Sequence, residues 1–151
     1  MTTASSRPTV VVGIKETGKH RAALQLAARE ARYRDATLIA IVAYGSNPAL
    51  GAPGGRPVAV SRSADEAAAE TALQYALADA LGDQAATVER RAVAGPAGRN
   101  LVEVAQSAGA QLLVLSGGGT ASVLPGTTSQ YVLRKAPCPV LIVPETEPLP
   151  G

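Results

Sequence analysis

A chain of 151 residues suits one domain able to bury a core, and a hydrophobic share of 46% points to a collapsed globule rather than a disordered chain. Aromatic residues make up 3%, with no Trp and no Phe, so the core must be built from Val, Leu, Ile and Ala, and stacking platforms for single-stranded nucleic acid are scarce. A net charge of +2, with isolated basic pairs at Arg90-Arg91 and Arg134-Lys135, lacks the clustered basic face of a nucleic-acid reader.

The single cysteine, Cys138, excludes an internal disulfide and a cysteine-rich zinc site, and fits a reducing compartment. It sits between two prolines before a buried strand and reads as a small apolar filler. The segment from Met1 to Pro8 is polar, unlike a signal peptide. No stretch approaches the roughly 20 apolar residues of a membrane span. No membrane partner and a cytoplasmic location are therefore expected.

Thr9 to Ile14 is a short run dominated by β-branched residues, read as a strand buried on both faces. A helix follows, with Thr17 as its N-cap and Leu24, Ala27, Ala28 and Ala31 on one apolar face. Thr37 to Tyr44 forms a second buried strand. The Gly- and Pro-rich stretch from Gly45 to Pro57 reads as a long surface loop. Ser63-Ala64-Asp65-Glu66 has the form of a capping box, opening a helix whose apolar face is Ala69, Leu73, Ala76, Leu77, Ala80 and Leu81. Gly82 is placed to end it.

Thr87 to Val93 is a more polar third strand, expected at a sheet edge. After Gly95-Pro96 a helix from about Gly98 puts Leu101, Val104, Ala105 and Ala108 on one face, and Gly109 closes it. Leu112 to Leu115 is the fourth strand, followed by Ser116-Gly117-Gly118-Gly119 and a flexible loop to Gly126. The last helix runs from about Thr127 to Lys135, where Pro137 and Pro139 stop it. Val140 to Val143 is the fifth strand, and a mobile tail is expected from Pro144 on. The domain is thus expected over residues 8–144, between flexible ends at 1–7 and 145–151.

Strands alternating with amphipathic helices imply an α/β fold: a single doubly wound, Rossmann-like sheet of five parallel strands in the order 3-2-1-4-5, with helices on both faces. Ligands of such sheets sit beyond the carboxyl ends of the strands where the order reverses. That point lies between the first and fourth strands, where loops begin after Ile14 and at Ser116.

Three stretches resemble the universal stress proteins, a branch of the adenine nucleotide alpha hydrolase-like architecture, over about Pro8 to Val143. They are Val12-Gly13 followed by a helix with Ala22-Ala23-Leu24; the fourth strand with a glycine loop ending Gly126-Thr127-Thr128-Ser129; and, most specifically, the run from Val132 to Val143 through Ala136-Pro137-Cys138-Pro139. Nucleotide-binding members carry Gly-x2-Gly-x9-Gly-Ser/Thr after the fourth strand. Its glycines let backbone N–H groups approach phosphate, and the following helix presents its N-terminus to the anion. Here Gly119 fits the second glycine and Gly126-Thr127 the closing pair. Ser116 stands where the first glycine belongs, six residues rather than nine separate Gly119 from Gly126, and Lys15 replaces the Asp that follows the first strand in the binders.

The resemblance implies ATP or AMP as ligand, with Mg²⁺ accompanying ATP. It places Gly119, Gly126, Thr127, Thr128 and Ser129 at the phosphates, beside Ser116. Gly13, Ile14 and Lys15 flank the base or ribose, with Ala43 and Leu115 lining the pocket. It also implies a homodimer through Val140, Leu141, Ile142 and Val143, since an edge strand with unpaired backbone groups favours pairing.

Two readings stand side by side: a stress-response regulator holding ATP or AMP, and a dimeric interaction module whose pocket has degenerated. No side-chain catalysis is expected. Asp35, Asp65, Asp79 and Asp83 are scattered without metal or acid–base spacing, and slow ATP hydrolysis lacks a visible base or metal ligand. His20, the one histidine, reads as a solvated residue at a helix start.

Overall fold

The computed structural model describes residues 7–15, 20–45, 59–117 and 127–145, with backbone alone for 59–63 and 127. Five strands, β1 (Thr9–Ile14), β2 (Thr37–Tyr44), β3 (Glu89–Ala94), β4 (Ala110–Ser116) and β5 (Val140–Val143), form one sheet in the order β3-β2-β1-β4-β5. All four pairings are parallel. Four helices connect them: α1 (Arg21–Tyr33), α2 (Ala59–Leu81), α3 (Ala97–Ala108) and α4 (Thr127–Lys135).

Alternation along the strands divides the core in two. Val10, Val12 and Ile14 of β1, with Leu38, Ala40 and Val42 of β2, meet the apolar stripes of α1 and α2. Val11, Ile39, Ile41, Leu113 and Leu115 point the other way, against Leu101, Val102 and Ala105 of α3 and Val132 of α4. Every residue of β1 is buried. A central strand of a sheet covered on both faces has no solvated side, which is why its sequence is a continuous apolar run.

The stripes read from sequence for α1 and α2 are the buried ones. In α1 these are Leu24, Ala27, Ala28 and Ala31, and in α2 Ala69, Leu73, Leu77 and Ala80 are buried with Ala76 and Leu81 packed alongside. Gly82 and Gly109 end α2 and α3 at φ of 57° and 61°, a left-handed conformation that glycine adopts without Cβ strain. Arg21 of α1 ties the two helices of its layer together, donating to both carboxylate oxygens of Asp79 on α2 at 3.0 and 3.3 Å.

Several local readings are corrected. The capping box at Ser63 does not start a helix, because α2 already begins at Ala59 and Ser63 lies inside it. Nothing between Ala59 and Ser63 breaks a helix, so the backbone hydrogen bonding extends past the box towards Pro57. Thr87 and Val88 precede β3 rather than opening it. Gly82–Thr87 coils as a 3₁₀ turn, and the Thr87 hydroxyl donates to the Gln84 carbonyl at 2.8 Å, a local bond that competes with the sheet ladder. β4 is longer than read, from Ala110 to Ser116. Thr17 and nearly all of the Gly45–Pro57 loop lie outside the described residues; α1 begins at Arg21, with His20 at its cap position.

At Gly13, β1 packs tightly against Leu101 of α3. A Cβ there would stand 2.7 and 2.9 Å from the Leu101 methyls and 3.2 Å from Leu115 Cδ2. We expect Gly13→Ala to lose about 1–3 kcal/mol by overpacking. Adding Leu101→Ala should recover part of that loss, so the double variant loses less than the sum of the singles in denaturant melts; strict additivity would show that the contact is not strained.

Cys138 packs against the α3–α4 side of the core, and burial pushes its thiol up from the usual value. The folded chain then holds its proton where the unfolded chain has lost it. The contribution to stability is fully present below the ordinary thiol pKa and declines as pH rises above it. Thiol labelling at pH 8 should be slower in the folded protein than in the urea-unfolded chain, and equal rates would refute the burial effect.

Candidate functional site

In a parallel sheet every strand ends, and every following helix begins, on the same side. Where the order reverses between β1 and β4, the two outgoing chains diverge to opposite faces and leave a crevice. The structure has a cavity of about 180 Å³ there. Its described walls come from the end of β1 (Gly13, Ile14) and Lys15 beyond it, from His20 ahead of α1, and from Leu115 and Ser116 at the end of β4. Ala97 and Leu101 of α3, with Thr128 and Ser129 of α4, complete them.

The walls divide by chemistry. Ile14, Leu101 and Leu115 are apolar, whereas Ser116, Thr128 and Ser129 offer hydroxyls that both donate and accept. Ala97 opens α3, and Thr128 and Ser129 lie in the first turn of α4. First-turn N–H groups have no acceptor within their own helix, and that end carries the positive pole of the helix dipole. Lys15 is exposed and adds a full positive charge. No acidic residue is among the described lining residues. The arrangement suits an anionic group joined to an apolar one. Among the described residues no cluster of His, Cys, Asp and Glu could hold a metal ion, so the described walls do not provide carboxylate ligands for Mg²⁺.

The sequence reading of His20 as solvated is overturned. His20 is 7% exposed and forms part of the cavity wall. The Lys15 backbone N–H donates to its Nε2 at 3.2 Å. The ring thus braces Lys15, just past the end of β1, from the side of α1. His20 occupies the N-cap position but makes no side-chain cap bond. The first turn of α1 is capped instead from the far end of the chain. Glu145 accepts from the Ala22 N–H at 3.1 Å and the Ala23 N–H at 2.9 Å, one carboxylate oxygen to each. A side-chain cap contributes roughly 0.5–2 kcal/mol, and here an anion also meets the positive helix end. Glu145 falls in the stretch expected to be a mobile tail; its carboxylate is fixed by these two bonds.

Of the residues singled out from sequence, Gly13, Ile14, Lys15, Leu115, Ser116, Thr128 and Ser129 come together around this cavity. Ala43 does not line it; it pairs with Val93 one strand further out. Gly119 and Gly126 lie outside the described residues, and Thr127 is described only as the first residue of α4. Sequence reasoning missed His20, Ala97 and Leu101. Leu101 was visible only as a core residue of its helix. The signal for His20 was its position just after the first-strand loop.

The profile of the universal stress protein family matches residues 7–144. Among solved structures, a universal stress protein in complex with cAMP is 29% identical, with 92% of this chain and 98% of that chain covered and a TM-score of 0.63. Universal stress protein UspA from Lactobacillus plantarum is 23% identical over 92% and 99%, with a TM-score of 0.68. The universal stress protein from Archaeoglobus fulgidus in complex with dAMP is 17% identical over 90% and 96%, with a TM-score of 0.52. No curated protein matches the chain. The strand order, the helices on both faces and a family match spanning the whole sheet agree: the chain belongs to the universal stress protein family.

Proposed function

We propose that this chain is a stress-response protein that binds an adenosine phosphate of the AMP type at the switch-point cavity. The observation that carries the reading is the cavity's division into an apolar wall and a cationic, hydroxyl-bearing one. Ile14, Leu101 and Leu115 would take the base or ribose. Lys15, Ser116, Thr128, Ser129 and the first turn of α4 would take the phosphate, with Gly119, Gly126 and Thr127 joining them on the family pattern. Ala43, near the end of β2, would join the apolar side on the family pattern. The relative in complex with cAMP, 29% identical over nearly all of both chains, supports this ligand class.

The described part of the cavity measures about 180 Å³. Lys15 supplies the positive charge that Mg²⁺ would otherwise bring, as a direct ammonium–phosphate contact. The reading assigns no catalytic side chain.

A second reading, a dimeric interaction module with a degenerate pocket, is favoured by Lys15, by the shortened spacing from Gly119 to Gly126, and by β5. This strand lies at the sheet edge, bonded to β4 alone, with Val140, Leu141 and Ile142 half-buried and Val143 buried. Apolar edge strands invite pairing. A homodimer through Val140–Val143 is compatible with either reading. Among the described residues no helix is long and apolar enough to cross a membrane.

Titration with AMP, cAMP and ATP separates the readings. AMP at about 100 times its dissociation constant should stabilise the fold by about 2.7 kcal/mol. Lys15→Ala should weaken AMP binding by about tenfold, the loss of one charge-assisted contact at an exposed site, and Mg²⁺ should change the AMP affinity little. An unshifted melt at millimolar nucleotide would favour the second reading, and unchanged affinity in Lys15→Ala would remove that residue from the site. Light scattering should report twice the chain mass; a monomer across the micromolar range would refute pairing through β5.

A further inference from the structure

We infer that Glu145 is a positioning residue for the cavity, a strap by which the segment after β5 holds the α1 side of the wall in place. The inference rests on the ligand reading above only for its affinity arm.

Four contacts carry it. Glu145 engages two successive amides of the α1 first turn with separate oxygens, across sequence separations of 123 and 122 residues. His20, two residues before Ala22, contributes no cap bond of its own, so the described side-chain cap on this turn comes from Glu145. The imidazole of His20 is in the cavity wall and accepts from Lys15 N–H, so where α1 begins decides where Lys15 and the end of β1 are braced. On its other side the strap is anchored to the stem of the glycine loop. Gly117 N–H donates to the Val143 carbonyl at 2.7 Å, and Pro144 Cα lies 3.6 Å from where a Cβ on Gly117 would stand.

Val143 to Glu145 therefore joins two walls of one cavity, the Ser116–Gly117 exit of β4 and the His20 entry of α1. The two walls belong to segments about a hundred residues apart, and they continue β1 and β4 beyond the last pairing of those strands, Gly13 with Leu115. A carboxylate bound through both oxygens to consecutive amides fixes direction as well as distance. Without it, the first turn of α1 is left with uncapped donors and frays, and His20 gains freedom relative to Lys15.

His20 is the one histidine in the chain, so its imidazole signals report on the wall without any ligand. We expect Glu145→Ala to shift the His20 ¹⁵N–¹H correlations and to raise hydrogen exchange at the Ala22 and Ala23 amides by an order of magnitude or more. Glu145→Gln, which keeps one carbonyl acceptor, should give smaller changes of both kinds. Val88→Ala, a core truncation at the opposite end of the sheet, should lower stability while leaving His20 and these two amides unmoved. AMP affinity should fall several-fold in Glu145→Ala and stay at the wild-type value in Val88→Ala. Unchanged His20 signals and amide protection in Glu145→Ala would overturn the inference. Absence of AMP binding by the wild-type protein would instead overturn the ligand reading, with the imidazole and exchange arms still deciding the role of Glu145.

Discussion

The structure depends on burying β1 on both faces at once. Its six residues leave no side chain for solvent, so a helical layer must cover each face, and its backbone must bond to a strand on either edge. Val10 and Val12 face α1 and α2 while Val11 faces α3 and α4. Fully burying a valine is worth about 1.5–3 kcal/mol relative to exposure, so this strand alone strongly favours the central position. With β1 in the middle and every pairing parallel, the chain must reverse its winding beside it, and a crevice follows at that reversal.

The crevice collects its chemistry from segments remote in sequence. Strand ends supply Gly13, Ile14, Leu115 and Ser116, while helix starts supply Ala97, Thr128 and Ser129. Parallel topology brings positive helix ends to the side where the strands stop, so an electropositive rim is a property of the architecture before any charged side chain is added. Lys15 strengthens that tendency, and the absence of acidic groups among the described lining residues leaves it unopposed. The fold thus sets where positive helix ends gather, and the individual side chains set the local chemistry of the crevice.

The same helix-end physics appears where the chain uses one of its own anions. At α1 the carboxylate of Glu145 occupies the positive end. At α4 the first turn borders the cavity instead. These two ends, similar in backbone chemistry, differ in what has been placed opposite them. His20 links the neighbourhoods, because it precedes the self-capped helix and forms part of the open cavity wall.

Sequence by itself determined the strand count, the order of elements, the apolar faces of α1 and α2 and the family. Those features rest on local patterns: β-branched runs, a 3.6-residue stripe, a glycine after a helix, and the stretch from Val132 to Val143. It also named most residues of the cavity, because strand ends and helix starts can be read along the chain. What sequence could not supply was contact between distant segments. Ser63 matched a cap signal, yet continuation of the helix back to Ala59 overrode it. His20 looked solvated because nothing beside it in sequence is apolar, and the Lys15 amide that engages it lies five residues back. Glu145 looked like tail because its partners lie more than a hundred residues away. Periodicity reports which face a residue takes within its own element; only tertiary packing decides what stands opposite that face.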